Sequence, residues 1–170
     1  MDKYITLSFS PLNLSIKALL LDKLNPELCQ IIQRKLPYRS IQCHALVAGE
    51  QLYHYTPIIE AVTYKAKTKE DKIKQPVGRI NMSSLELLSI KYGEVTEYLT
   101  SVPIAQVIPK DIPKLVKIGR LVWKSIFKTK KLIKVTVSLE NQKIPTNLTG
   151  IYNPNFISTN NEIVYLINKI

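Results

Sequence analysis

A chain of 170 residues, 45% of them hydrophobic, is long enough for one domain with a sizeable core. No apolar run approaches the roughly 20 residues that cross a bilayer, and two cysteines, Cys29 and Cys43, exclude a disulfide framework. Because the opening MDKYITLSFS also lacks an apolar signal segment, we expect a cytoplasmic protein with no membrane partner.

The net charge of +11 has three interpretations: a solvated basic surface, attraction of small anionic substrates, or nucleic-acid binding. The lysine-rich stretch 65–74 is interrupted by two acids and contains no aromatic residue. The second stretch, 124–134, spaces its lysines as the polar face of a helix followed by a strand. Nucleic acid is therefore the least favoured partner, and small anions remain open.

The five glycines include no GxG pair and no GxxxxGK[ST] motif, so neither nucleotide-binding loop is present. Two histidines and two cysteines offer few metal ligands, and Cys29 and Cys43 are too far apart for a C-x-x-C site. We therefore expect no cofactor and no metal.

The first half of the chain begins with two strands, Tyr4–Phe9 and Leu12–Leu21, in a hairpin broken at Pro11. Asn25 as N-cap, Pro26 and Glu27 predict a helix that Pro37 ends, with Cys29 beside its buried stripe. A strand, SIQCHALVA, follows over 40–48, turns at GEQ, and continues from residue 52 as another strand with a break at residue 57.

The second half contains a charged loop, two extended pieces within 76–93, and further strands in EVTEYL and IAQVI. A second helix is predicted over 111–128, with Asp111 as cap and Leu115, Ile118, Val122 and Ile126 at helical spacing. A last strand covers 131–139. Many strands with two short helices predict a mainly β fold, a closed β-barrel whose openings the helices cover. We assign residues 1–140 to this domain and 141–170 to an extension that packs on the barrel or a partner.

Three phrases carry a family resemblance: LLLDKLNPELCQIIQRKLP, HALVAGEQLYHY and LSIKYGEVTEYLTSVPIAQV. From about Lys3 to Leu139, the chain resembles the cyclophilin-like family that includes cucumopine and mikimopine (opine) synthases. This resemblance implies a cyclophilin-like barrel and an enzyme that condenses histidine with 2-oxoglutarate through an imine. A Pictet–Spengler-type cyclisation follows, without nicotinamide. The alternatives are a non-catalytic module that binds an anionic metabolite on the same barrel, and a basic nucleic-acid-binding protein.

Such a condensation needs groups that move protons and groups that hold carboxylates. His44 and His54 titrate near neutral pH when unperturbed, and Glu60 interrupts an apolar run that would raise its pKa unless it is paired, so these three are the candidate catalytic residues. A Cys43–His44 pair is excluded because adjacent strand residues point to opposite faces. The candidate substrate-binding residues are two cations, two aromatic residues and one acid: Arg79, Lys91, Tyr55, Tyr92 and Glu50.

Each of these residues also has a purely structural interpretation. Arg79 and Lys91 would then be surface cations, Glu50 would cap its turn, and Glu60 would form a buried ion pair. The amino acid and the 2-oxo acid would be the small-molecule partners, and a homo-oligomer is compatible with the sequence.

Overall fold

The computed structural model describes residues 2–83, 86–146 and 148. Within these residues the chain forms ten strands and three α-helices. In chain order they are β1 (Tyr4–Ser10), β2 (Leu14–Leu20), α1 (Pro26–Lys35), β3 (Tyr38–Ile41), β4 (Cys43–His44), β5 (Gly49–Tyr55), α2 (Glu60–Thr63), β6 (Glu70–Asp71), β7 (Arg79–Met82), β8 (Leu87–Val95), β9 (Thr100–Val107), α3 (Ile112–Lys124) and β10 (Lys134–Leu139).

The strands form one antiparallel sheet in the order β3-β10-β1-β2-β9-β7-β8-β5-β4, with the short β6 paired to β9. The two ends of this order, β3 and β4, are consecutive in the chain and separated only by Gln42. The Gln42 N–H donates to the Ile133 carbonyl, and its side-chain amide donates to the Tyr53 carbonyl at 2.8 Å. Gln42 thus lies at the seam, and the sheet is a nearly closed barrel. The predicted mainly β fold with helices over a barrel is confirmed.

Alternating apolar residues in β1 and β2 build the barrel core. Ile5 pairs with Ala18 and Leu7 with Ile16, and all four are at most 1% exposed. The same alternation places Val135 and Val137 of β10 inside. The period-two pattern in the sequence therefore decides which face each strand buries.

Helix α1 begins at Pro26 and ends where Leu36 becomes extended before Pro37, as predicted. Its inward residues are Leu28, Cys29 and Ile32. Asn25 is not the side-chain cap that the sequence suggests. Its buried amide donates instead to the carbonyls of Thr68 and Pro103 and accepts from the Thr68 N–H. Asn25 therefore links the segment after α2 to β9.

Helix α3 covers one opening of the barrel, in contact with β2 on one side and with β4, β5 and β8 on the other. Leu115, Ile118 and Val122 form its buried stripe, and a π-helical turn at Ser125–Thr129 follows. Asp111 is not its side-chain cap: its carboxylate accepts from the Lys17 N–H and from Lys114 Nζ, both at 2.8 Å.

Several predicted extents were wrong, and the strand predicted in EVTEYL is absent at residues 96–99. The strand predicted over 40–48 is two shorter strands, β3 beginning at Tyr38 and β4 ending at His44, with Gln42 between them. β3 pairs with β10 and β4 pairs with β5, so the two strands belong to the two sheet edges that meet where the barrel closes. The strand predicted after residue 52 ends at Tyr55, and Glu60–Thr63 form a helical turn instead. Pro57, which cannot donate to a strand ladder, lies between the two segments.

The predicted extension, 141–170, lies mostly outside the described residues. In its described part, the Gln142 side chain donates to the Leu36 carbonyl. Leu148 is 1% exposed, and its carbonyl accepts from Arg39 at 2.7 Å. The division into a barrel and an extension stays a prediction.

Candidate active site

A cavity with a volume of about 740 Å³ lies beside α1 and α2. Strands β5, β7, β8 and β9 form its floor, and residues 64–72 form one wall. Its polar lining comprises Gln51, Tyr53, Tyr64, Lys65, Lys69, Lys72, Asn81, Ser83, Ser89, Glu97, Thr100 and Ser101. Ligand pockets typically measure about 300–1,000 Å³, so this cavity is large enough for two small reactants.

One acid and three lysines give the cavity its charge. Lys72 Nζ lies 2.9 Å from Glu97 Oε2, and the two side chains are 13% and 30% exposed. Lys65 and Lys69 line the same cavity on the preceding segment. The excess of cations favours an anionic ligand.

The Lys91 side chain holds the backbone of the segment that carries Lys72. Its ammonium, buried at 7% exposure, donates to the carbonyls of Lys72, Ile73 and Gln75 at 3.0, 2.7 and 2.7 Å. Burial lowers the pKa of Lys91, an effect that Asp71 partly opposes. An ammonium has three donors, and all three are used here. Lys91 therefore holds the cavity wall and has no donor left for a substrate carboxylate.

Arg79 belongs to a polar network behind the same wall. Its Nε lies 2.9 Å from Glu70 Oε2, an ion pair without well-directed hydrogen-bond geometry. Gln75 Nε2 lies within hydrogen-bonding distance of Glu70, Asn81 and Ser101, and the Asn81 amide donates back to Gln75 Oε1 at 2.9 Å. Asn81 and Ser101 line the cavity. Arg79 is connected to them only through Glu70 and Gln75.

Two tyrosines give the cavity aromatic walls. Tyr53 lies on β5 and Tyr64 follows α2. Burial first, and then the neighbouring Cys43 and Tyr55, raise the pKa of Tyr53, so its phenol stays protonated at neutral pH. A flat ring and a protonated hydroxyl together suit a ligand that carries both an aromatic group and polar atoms.

Three of the predicted site residues meet in a second, smaller pocket of about 310 Å³. His44, Tyr92 and Glu50 line it together with Arg120 and Trp123 of α3. Neither Arg120 nor Trp123 was among the predicted site residues. Both lie on the polar edge of a helix stripe, and only the approach of α3 to β4 and β8 brings them to His44.

The hydrogen bonds of His44 define its tautomer. Nδ1 lies 2.6 Å from the Ala45 carbonyl, which only accepts, so Nδ1 carries the proton. Nε2 lies 2.6 Å from Tyr92 Oη and accepts the phenol proton. Burial lowers the pKa of His44, while the Ala45 carbonyl and Glu50 oppose the shift. Burial also raises the pKa of Tyr92, so at neutral pH both rings are uncharged.

The remaining predicted residues line neither cavity. His54 is fully buried between Tyr38, at 2.9 Å from Nε2, and Gln42, at 3.3 Å from Nδ1, and burial lowers its pKa to about 3. Tyr55 is 55% exposed on the outer face of β5. These positions give neither residue a direct route to a ligand in the cavities.

Glu60 forms an ion pair with Lys35. Its Oε1 lies 2.6 Å from Lys35 Nζ. Burial alone would raise the pKa of Glu60, but the hydrogen bond and charge of Lys35 outweigh it, so the pKa is lowered. A raised pKa was expected only for an unpaired Glu60, and the packing of α1 beside α2 supplies the partner. The pair is not the buried one of the structural interpretation, since the Glu60 side chain is 42% exposed.

No group of three or more His, Cys, Asp or Glu side chains within residues 2–83, 86–146 and 148 could hold a metal ion. In the same part of the chain, no helix has the length and apolar character to cross a membrane.

The described residues define a mainly antiparallel, nearly closed barrel with a ligand-sized cavity that four of its strands line. No protein-family model and no curated protein sequence matches the chain. Seven chains of solved structures are similar to it, and McbB is among them. The chain is 37% identical to McbB, solved in complex with tryptophan, with a TM-score of 0.81 over 83% of this chain and 46% of McbB. The chain thus spans about half the length of McbB.

A second similar structure is the solution structure of a hypothetical protein from Archaeoglobus fulgidus. It is 13% identical, with a TM-score of 0.52 over 81% of this chain and 94% of that protein. At this identity the similarity concerns the fold alone.

Proposed function

We propose that this chain joins an amino acid with a nucleophilic aromatic side chain to a 2-oxo acid, in the cavity of about 740 Å³. The observation that carries the proposal is the Lys72–Glu97 ion pair inside a cavity that has room for both reactants. The similarity to McbB, which was solved with tryptophan bound, supports an amino acid as one of the two. The resemblance to opine synthases supports the 2-oxo acid, with histidine and 2-oxoglutarate as the finer assignment.

The reaction has two bond-forming steps. The amino nitrogen attacks the carbonyl carbon of the oxo acid, and loss of water gives an imine. A ring carbon of the amino-acid side chain then attacks the imine carbon and forms a carbon–carbon bond. The proton on that ring carbon must leave to restore aromaticity. No electrons are gained or lost, so neither step requires a redox cofactor.

The basic, acidic and aromatic residues of the cavity would have different roles in this reaction. Lys65, Lys69 and Lys72 hold the reactant carboxylates, and Glu97 accepts the proton that the ring carbon releases. Tyr53 and Tyr64 pack against the aromatic reactant. The candidate catalytic residues His44, His54 and Glu60 do not line this cavity, so the general base is assigned to Glu97.

Mass spectrometry tests the proposal directly. The protein is incubated with 2-oxoglutarate and either histidine or tryptophan, and the expected product has the summed mass of the reactants minus one water. Product at the level of a protein-free control for both pairs would refute these substrates. Saturable binding of the reactants without product would instead favour the non-catalytic binding module.

A pair of matched variants tests the role of Glu97. Glu97→Gln should lower turnover about 10²–10⁴-fold, which is the usual contribution of a general base. Glu140→Gln removes the same charge from another lysine–glutamate pair, Lys17–Glu140, which lies outside the cavity. We expect Glu140→Gln to retain the parent rate. Equal rates for both variants would exclude Glu97 as the base.

A further inference from the structure

We propose that the pocket of about 310 Å³ beside α3 is a second binding site, and that it holds an aromatic α-amino acid as a zwitterion. In this arrangement Arg120 pairs with the carboxylate, Glu50 and Tyr92 Oη receive the ammonium, and Trp123 packs on the aromatic ring. The proposal goes beyond the condensation proposed above and does not depend on it.

The His44–Tyr92 pair turns the Tyr92 oxygen into an acceptor. Tyr92 Oη donates its only proton to His44 Nε2, because His44 Nδ1 already carries a proton for the Ala45 carbonyl. The lone pairs of Tyr92 Oη have no donor among the described residues, and this side chain lines the pocket. A ligand that donates a hydrogen bond, such as an ammonium, therefore complements Tyr92.

Two charges of opposite sign lie at the same pocket. Glu50 Oε2 accepts from the Glu94 N–H at 3.1 Å, and among the described residues Oε1 has no hydrogen-bond donor. Arg120 is exposed on α3 and has no ion pair with an acid of the described chain. A guanidinium matches a carboxylate with two parallel hydrogen bonds. A ligand that carries both an ammonium and a carboxylate satisfies both groups.

The apolar side of the pocket is an exposed indole. The Trp123 ring packs edge-on against His44, with centroids 4.7 Å apart, and is 41% exposed. Leu46, 64% exposed, also lines the pocket. An aromatic ligand would cover surface that is now in water and gain a stacking contact.

Two glycines show that the pocket wall is closely fitted. A Cβ on Gly119 would lie 2.6 Å from the Tyr92 ring, and a side chain on Gly93 would overlap the Glu50 carboxylate. The Tyr92 ring and the Glu50 carboxylate thus occupy space that a side chain at residue 119 or 93 would fill. The volume of about 310 Å³ is at the lower end for ligand pockets, so it suits one amino acid but not two reactants.

Trp123 provides the measurement, since it is the only tryptophan of the chain. Phenylalanine is the probe, because it does not contribute when tryptophan is excited selectively. We expect phenylalanine alone to change Trp123 emission saturably, and calorimetry to give the same dissociation constant. Phenylpropionate, which lacks the ammonium, and phenethylamine, which lacks the carboxylate, should each bind at least about tenfold more weakly.

The variants localise the site. Arg120→Gln should weaken phenylalanine binding about tenfold or more, whereas Lys117→Gln, an exposed cation one turn earlier that does not line the pocket, should bind like the parent. The proposal is overturned if the parent shows no heat and no saturable emission change, or if Arg120→Gln binds like the parent. Equal weakening in both variants would also overturn it, because it would indicate general charge attraction. Since no oxo acid is present, these results are independent of whether the condensation occurs.

Discussion

At the scale of single residues, burial rather than sequence position separates the two histidines. His44 is 4% exposed and itself lines the smaller pocket, whereas His54 is fully enclosed between Tyr38 and Gln42. Burial lowers the pKa of both side chains, and the pKa of His54 falls to about 3. Both histidines are therefore neutral in the folded protein near pH 7, and each resists protonation more than in an unfolded chain.

This difference predicts acid sensitivity. In the unfolded chain both histidines bind a proton below about pH 6.5, while burial in the folded protein lowers both pKa values, so stability is lost as pH falls. We expect the free energy of unfolding to fall between pH 6.5 and 5 by up to about 1.4 kcal/mol per pH unit from His54, with His44 adding to the fall in the same direction. Urea denaturation across this range measures the slope. The lowered pKa values of Glu60 and Asp111 matter only at lower pH.

His54→Gln isolates one of the two contributions. We expect this variant to lose the part of the slope that His54 contributes, whatever its stability at pH 7. An unchanged slope would show that His54 is protonated in the folded state, in conflict with its burial.

At the scale of elements, α3 depends on Gly119 for its approach to β8. Alanine usually stabilises a helix by up to about 1 kcal/mol over glycine, but here its Cβ would lie 2.6 Å from the Tyr92 ring. We expect Gly119→Ala to lower the free energy of unfolding by about 1–3 kcal/mol, because the helix or the ring must move. Chemical denaturation checks this, with Lys117→Ala on the exposed face as control. A stabilised Gly119→Ala variant would contradict the packing described.

The position of the segment 72–75 depends on three hydrogen bonds from Lys91. Lys91→Met removes the donor for three carbonyls and should lower the free energy of unfolding by about 2 kcal/mol or more. It should also speed amide hydrogen exchange in residues 70–77 and raise the KM of the proposed condensation more than it lowers kcat, since Lys72 loses its support. Lys74→Met, with a side chain that is 84% exposed, is the matched control. Unchanged exchange in Lys91→Met would show that the segment is held by other contacts.

At the scale of the whole molecule, Gln42 lies at the seam of the nearly closed barrel. Gln42 joins the two edges through its N–H to Ile133 and its side chain to Tyr53 and His54. Gln42→Met keeps the size of the side chain and removes its polar contacts. We expect a loss of about 1–3 kcal/mol, since the Tyr53 carbonyl and the His54 ring lose a partner. Hydrogen exchange should increase first in β4 and β10. Exchange that increases uniformly over the sheet would argue against a local seam.

The net charge of +11 is also a property of the whole molecule. Part of this charge lines the larger cavity as Lys65, Lys69 and Lys72, which agrees with attraction of small anions. The other two interpretations, a solvated surface and nucleic-acid binding, stay predictions. Steep salt dependence of binding to nucleic acid would be the mark of the latter.

The sequence by itself determined the local features of this protein. Alternation in β1 and β2, the Pro26 start and Pro37 stop of α1, and the apolar stripe of α3 are patterns within about twenty residues, and the structure has them. The barrel followed from the number and order of such elements. The separation of Cys43 from His44 also followed, because strand neighbours face opposite sides.

Only the tertiary structure decided which polar residues share a site, because pairing between distant segments is invisible in local patterns. Lys72 meets Glu97, Tyr92 meets His44, and Lys35 meets Glu60 across 25, 48 and 25 residues of sequence. Arg79 and Lys91 have the chemistry to bind a carboxylate, but the fold places them behind a cavity wall that they hold in position. Residue type indicates what a side chain can do, and packing determines what it contacts.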